Sequence, residues 1–246
     1  MPVSENRQEP VPVSTRSPIA ASPRRASPSS DLSADSWILL AERAATSSVE
    51  AKACYERAVA AGRQAIVNRY GEELFEDEDG EFWLILDTRP YMRARAGLAG
   101  CLWEEGNREE AAEHLQDMLR LNPADNQGLR AILKSWLFAL KDFKGVDEIL
   151  VEYSEEDCFA DWCYSKAFLL FRQSGGKASG AINVLKYAVE LNPFVPDLLI
   201  GVTPMPKSLP AYYGIGTQEE AVLYVALNRQ NWSATKGALQ WLAENR

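Results

Sequence analysis

From about Asp35 to Leu191 the apolar residues recur at three- and four-residue spacing on a background of Ala, Leu, Glu and Arg, which places one apolar stripe along each of a series of helices. Trp37, Leu40, Ala41 and Ala44 predict a short helix, and Tyr55, Val59 and Ile66 a long one after it. Leu98, Ala99 and Leu102 predict the packing face of a further helix. Gly106-Asn107 makes a turn, and Ala111, Leu115 and Met118 face back from the next helix. Leu133, Leu137 and Leu140, followed by Val146, Leu150 and Tyr153, give a looser copy over 127–158. Ala167 and Leu170, a Ser174-Gly175-Gly176 turn, and then Ala181, Leu185 and Ala188 give another over 162–193. Two helices joined by a short turn approach closely only where side chains are small, which is the physical role assigned to Ala99 and Ala111.

The triplet Leu121-Asn122-Pro123 returns as Leu191-Asn192-Pro193, 70 residues later, close to two periods of a helix-turn-helix repeat of about 34 residues. Proline ends the helix before each triplet closes. The expected fold is all-α, with about four antiparallel helix pairs over 34–200, more than the roughly three that a repeat array needs for a continuous core. After the repeats, Pro204, Pro206 and Pro210 predict an extended run. Thr217 with Glu220 reads as a capping box opening a helix through Leu227. Trp232, Leu239 and Trp241 then supply a closing apolar surface, so 201–246 is expected to be a Pro-rich segment and a C-terminal helical cap.

Residues 1–33 break the pattern. They are rich in Pro and Ser, and between Pro10 and Ser30 carry only Arg16, Arg24 and Arg25 as charges. Such a segment buries too little apolar surface to offset its ordering entropy, so a disordered tail is expected. Arg24-Arg25-Ala26-Ser27-Pro28 reads as plain linker, with a phosphorylation site as the alternative. A net charge of −9 argues against nonspecific nucleic-acid binding, which needs clustered Lys and Arg. No stretch approaches the roughly 20 consecutive apolar residues of a membrane span, and no signal-peptide core is present, so a cytoplasmic protein without a span is expected.

Candidate chemistry fails at named positions. Glu72 to Glu81 holds seven acids and no base, but taking Gly80 as the central glycine of a calcium loop puts Phe75 first and Leu86 last, where oxygen ligands are required. A solvated connector closed by Phe82, Trp83 and Leu86 is the expected reading, with an acidic docking surface for a basic partner as the alternative. Gly175-Gly176-Lys177 suggests a phosphate loop, yet Ala178 stands where Ser or Thr must hold magnesium and Phe171 where the first glycine belongs. Cys54, Cys101, Cys158 and Cys163 form no CxxC pair and read as reduced, mostly buried thiols. His114, the only histidine, reads as a solvated helix residue. No catalytic residue, metal site or cofactor is expected.

These segments resemble the tetratricopeptide (TPR) superfamily over about Ser36 to Pro193, best at 92–123 and 162–193. A narrower resemblance covers about 80–246. Asp87-Thr88-Arg89-Pro90-Tyr91-Met92-Arg93-Ala94-Arg95, Asn192-Pro193-Phe194-Val195-Pro196-Asp197-Leu198-Leu199, Leu209-Pro210, Gly216, Glu219-Glu220-Ala221-Val222 with Tyr224, and Trp232 with Gly237-Ala238-Leu239 are similar to the suppressor of tumorigenicity seven family and its bacterial TPR relatives. The TPR resemblance implies a TPR-like α-solenoid. The eukaryotic members of the narrower family resemble membrane proteins, a location not carried over to a chain without a spanning segment.

TPR arrays bind peptides in a concave groove lined by the first helix of each pair. The carboxylate clamp of the co-chaperone subgroup is not expected, because Ala96 and Gly100 occupy its places. Trp103, Phe138 and Phe171 instead align at steps of 35 and 33 residues, with Arg93 and Tyr164 nearby, and predict an aromatic strip able to hold a peptide. The alternative places them in the core between repeats. The expected function is a non-catalytic protein-protein interaction scaffold. Its alternative is a regulatory or enzymatic component whose site the sequence does not display.

Overall fold

Short polar residues open the first helices of the computed structural model, which describes residues 32–76, 80–154 and 158–246. Ser33 Oγ accepts the Ser36 N–H at the head of α1 (Ala34–Arg43), and Ser47 Oγ accepts that of Glu50 at the head of α2 (Ser48–Tyr70). The Glu50 carboxylate reaches back to the Thr46 N–H at 2.9 Å. The tail expected over 1–33 lies outside the described residues except for Leu32, which packs on the first core, and the capping Ser33. Eleven α-helices and no strand occur among the described residues.

The helices fall into two compact units that divide after Leu140. The N-terminal unit holds α1, α2, α3 (Arg89–Glu105), α4 (Arg108–Leu121) and α5 (Leu129–Leu140). Its main core joins Trp37, Ile38 and Ala41 of α1, Ala51, Tyr55 and Ala58 of α2, Ala94, Leu98, Cys101 and Leu102 of α3, and Ala111 of α4. Each large apolar side chain buried here contributes about 1.5–3 kcal/mol. Two glycines set the approach of α2 to α3. A Cβ at Gly97 would stand 2.7 Å from Tyr55 Cδ1, and one at Gly62 would stand 3.0 Å from Tyr91 Cα. Gly106 ends α3 in the left-handed conformation, which its missing Cβ allows, and α4 packs back on α3 as the small Ala99 and Ala111, both fully buried, predict.

The connector between α2 and α3 is built of short 3₁₀ turns at Glu73–Phe75, Phe82–Leu84 and Leu86–Thr88. Phe75, Phe82 and Tyr91 close it as a ring triangle, with centroids 5.3, 5.3 and 6.1 Å apart, and the Arg63 guanidinium covers Phe75 at 4.4 Å. Phe82 is buried and Trp83 half-buried, but Leu86 does not pack back as expected. It is 69% exposed. The aromatic triangle already fills the space over α2 and α3, and Thr88 Oγ1 donates to the Phe82 and Ile85 carbonyls, which leaves Leu86 on the outer side of the turn. Asp77, Glu78 and Asp79 of the acidic run lie outside the described residues.

The C-terminal unit holds α6 (Phe143–Glu152), α7 (Ala160–Ser174), α8 (Ser179–Leu191), α9 (Phe194–Ile200), α10 (Gln218–Ala234) and α11 (Ala238–Asn245). Thus the helices expected to pair over 127–158 fall on either side of the division, α5 before it and α6 after it. Ala167 of α7 and Ala181, Leu185 and Ala188 of α8 are fully buried where the two helices pack. Pro193 stops α8 but a new helix, α9, starts at the next residue and takes Pro196 into its first turn, where no intrahelical N–H is required. Residues 201–217 are free of helix, as the prolines predict. Thr217 Oγ1 accepts the Glu220 N–H to open α10. Trp232 then stacks on Phe168 at 4.6 Å, and Trp241 packs on Phe171 at 5.0 Å.

Candidate interaction surface

Helix α3 turns one face to the core and leaves the other open. Ala94, Leu98, Cys101 and Leu102 face inward, whereas Arg93 is exposed and Ala96, Gly100 and Trp103 are only partly covered. A Cβ at Gly100 would meet no atom within 4 Å, so the backbone is open to solvent there. At the C-terminal end of this strip the Trp103 ring stacks on Trp136 of α5, with centroids 4.5 Å apart and planes 4° from parallel. The Arg108 guanidinium lies over Trp103 at 5.1 Å. At the other end Arg93 pairs with Asp35 of α1. The strip therefore offers an aromatic platform with cationic and small-residue flanks, the composition that dominates binding hot spots.

The other residues expected on the aromatic strip sit differently. Phe138 is 5% exposed, whereas Trp136, two residues earlier on α5, is half-covered. Trp136 lies 33 residues from Trp103, a step as close to the repeat period as the 35 chosen for Phe138. In the C-terminal unit Tyr164 is 0% exposed, and its hydroxyl donates to the Asn192 carbonyl at 2.7 Å. Burial pushes that phenol above its ordinary range. Phe171 is 7% exposed against Trp241. It forms the floor of a cleft of about 430 Å³ rimmed by Arg172, Lys236 and Glu244. Arg172 is anchored by donating to Thr235 Oγ1 at 3.0 Å and covering the Phe143 ring at 4.8 Å.

Two polar clusters escaped the sequence pattern. His114 is half-buried, not solvated: its Nδ1 accepts from Arg95 Nε at 3.3 Å, and the buried Arg95 also pairs with Asp117. The Nε2–H tautomer follows from this acceptor role. Burial and the Arg95 charge lower the His114 pKa, against a weaker opposing effect of Glu110, Asp117 and Glu113. Burial alone would raise Asp117, but hydrogen bonds from Arg95 and Arg120 outweigh it and hold the carboxyl below its usual range. In the C-terminal unit the buried Glu220 carboxylate accepts from Ala160 N, Asn192 Nδ2 and Gly216 N at 2.9, 2.9 and 2.7 Å. Asn192 Nδ2 also reaches the Thr217 carbonyl at 2.9 Å. One buried node thus ties the head of α7, the end of α8 and the head of α10.

Cys101 and Cys163 are buried and Cys54 and Cys158 half-buried, all as thiols. Among the described residues no three His, Cys, Asp or Glu side chains gather as a metal would require, and no helix is long and apolar enough to cross a membrane.

The sequence model of the family described as ST7 protein matches residues 15–245. The chain is 27% identical over 229 residues to the suppressor of tumorigenicity 7 protein-like proteins of Bos taurus and Homo sapiens, covering 85% of this chain and 40% and 39% of theirs. It is 26% identical over 234 residues to the suppressor of tumorigenicity 7 protein of Macaca fascicularis, covering 85% of this chain and 42% of the relative. The chain thus spans about 40% of the length of these curated relatives. No solved structure matches it. With nearly its whole length matched by one family model, the chain belongs to the ST7 protein family.

Proposed function

We propose that the chain is a non-catalytic protein-protein interaction module whose helix pairs are TPR-like repeats, and that it holds a partner segment on the open face of α3. The observation that carries this reading is the half-covered Trp103–Trp136 stack, continued along α3 by the open strip at Gly100 and Ala96 and flanked by Arg93 and Arg108. Both rings pack on the core from one side and are half-exposed, and a partner would cover the apolar area that remains in water. Arg93, Trp103 and Trp136 are the residues assigned to contact, while Phe138, Tyr164 and Phe171 support the fold from within. The non-catalytic reading is supported by His114, whose Nδ1 is taken by Arg95 and not by a hydroxyl or thiol nucleophile. A cytoplasmic compartment is supported by the four cysteines standing as thiols.

Affinity purification with mass spectrometry, run on the wild type beside Trp136→Ala, tests the reading. A partner captured by the wild type and lost from a variant with unchanged helical circular dichroism is the expected result. An identical partner set from the folded variant contradicts it.

A further inference from the structure

We propose that the connector between α2 and α3 is a docking site for a basic amphipathic helix of a partner protein. The connector carries the run Trp83-Leu84-Ile85-Leu86, of which Leu84 is 63% and Leu86 69% exposed. These side chains do not stand out on a loose loop. Thr88 Oγ1 donates to the Ile85 carbonyl at 2.8 Å and also to that of Phe82, and Arg89 Nε donates to the Trp83 carbonyl at 3.0 Å while its guanidinium covers the Trp83 ring at 5.2 Å. An apolar turn fixed in this way loses little entropy on binding.

Beside it lies a cleft of about 410 Å³ lined by Tyr70, Glu73, Leu74 and Glu76. The Tyr70 hydroxyl donates to Asp87 Oδ2 at 2.8 Å, so the wall of the cleft is joined to the turn that carries Leu86. The cleft bearing Leu74 and Tyr70 and the turn bearing Leu84 and Leu86 are thus held together on one connector.

Charge selects the occupant. Arg63 is paired with Glu72 and Arg69 with Asp87, whereas Glu73, Glu76 and Glu81 enter no ion pair among the described residues. A partner must bring apolar side chains for Leu84, Leu86 and the cleft, and cations for the carboxylates, with the two on adjacent faces. A Leu/Lys amphipathic helix does this. An anionic lipid surface has the apolar part but is repelled by the acids. This proposal does not depend on the α3 strip binding anything.

Fluorescence anisotropy of a labelled Leu/Lys amphipathic peptide of about 14 residues, long enough for roughly four helical turns, titrated with the full chain, tests the site. Saturable binding is expected, weakened about tenfold or more by Leu84→Ser/Leu86→Ser, since each lost Leu contact removes burial of this size. Glu73→Lys/Glu76→Lys weakens it as well. Glu109→Lys/Glu113→Lys makes the same charge change on exposed positions of α4 and leaves binding unchanged. Absence of saturable binding, equal affinity in Leu84→Ser/Leu86→Ser, or equal weakening by the α4 variant overturns the proposal. So does binding to phosphatidylserine-containing vesicles that depends on Leu84 and Leu86 while the peptide does not bind.

Discussion

Gly97 and Gly100 stand three residues apart on α3 in opposite surroundings. At Gly97 a methyl group would enter the Tyr55 ring, and at Gly100 it would enter open solvent. Gly97→Ala is therefore expected to destabilise by about 1–3 kcal/mol, as overpacking does. Gly100→Ala, which gains helix propensity without a clash, is expected to stabilise by about 0.5–1 kcal/mol. Thermal unfolding followed by circular dichroism separates the two, and Tm shifts of the same sign would show that the α2–α3 approach is misread. His114 gives a second residue-scale prediction. Its pKa is lowered from 6.5 in the fold, so the unfolded chain takes up the proton first. The stability this interaction contributes is full above the unfolded pKa and is lost as the pH falls through it toward the folded value. Stability of the wild type should decline between about pH 7 and 5 more steeply than that of His114→Gln, measured by urea unfolding at each pH. Neither feature was legible in the sequence, because Gly97 reads like any helical glycine and Arg95 and His114 meet only when α3 and α4 pack.

Among the elements, those announced by strong local patterns appeared where the pattern put them. The faces Leu98-Ala99-Leu102 and Ala111-Leu115-Met118, and the α8 face Ala181-Leu185-Ala188, are buried as the spacing predicts. Helix α9 was not visible, since Pro193 read as the end of the repeats, and only the geometry shows a new helix starting at Phe194 with Pro196 in its first turn. The Leu-Asn-Pro triplets were read for their prolines, yet their asparagines do more. Asn122 and Asn192 are both buried, and Asn192 belongs to the node centred on Glu220. Thr217 and Glu220 were read as a local capping box, but the carboxylate turns inward to three donors from other segments. Glu220→Ala should cost about 2–4 kcal/mol, because three N–H groups, two of them buried, lose their acceptor. Thr217→Ala, which removes one cap, should cost about 1 kcal/mol. Chemical denaturation gives both values, and equal losses would mean that the node is no more than a cap.

Taken whole, the chain is two helical units matched almost end to end by one family model while spanning about 40% of its curated relatives. The sequence pattern led to the helical class and to the family. Of the residues it placed on the strip, Arg93 is exposed and Trp103 half-covered. Phe138, Tyr164 and Phe171 are buried, as the alternative placing them in the core has it; the spacing could not choose, because buried and groove-lining aromatics share it and a two-residue uncertainty in register exchanges Trp136 for Phe138. The open α3 face is proposed to hold a partner. Gly100 offers the cleanest test, since a side chain there fills the strip without touching the core. Quantitative affinity capture comparing Gly100→Glu with Gly100→Ala should show loss of the partner bound by the wild type only in the glutamate variant, with both proteins folded. Equal capture by the two variants would contradict partner binding on this face.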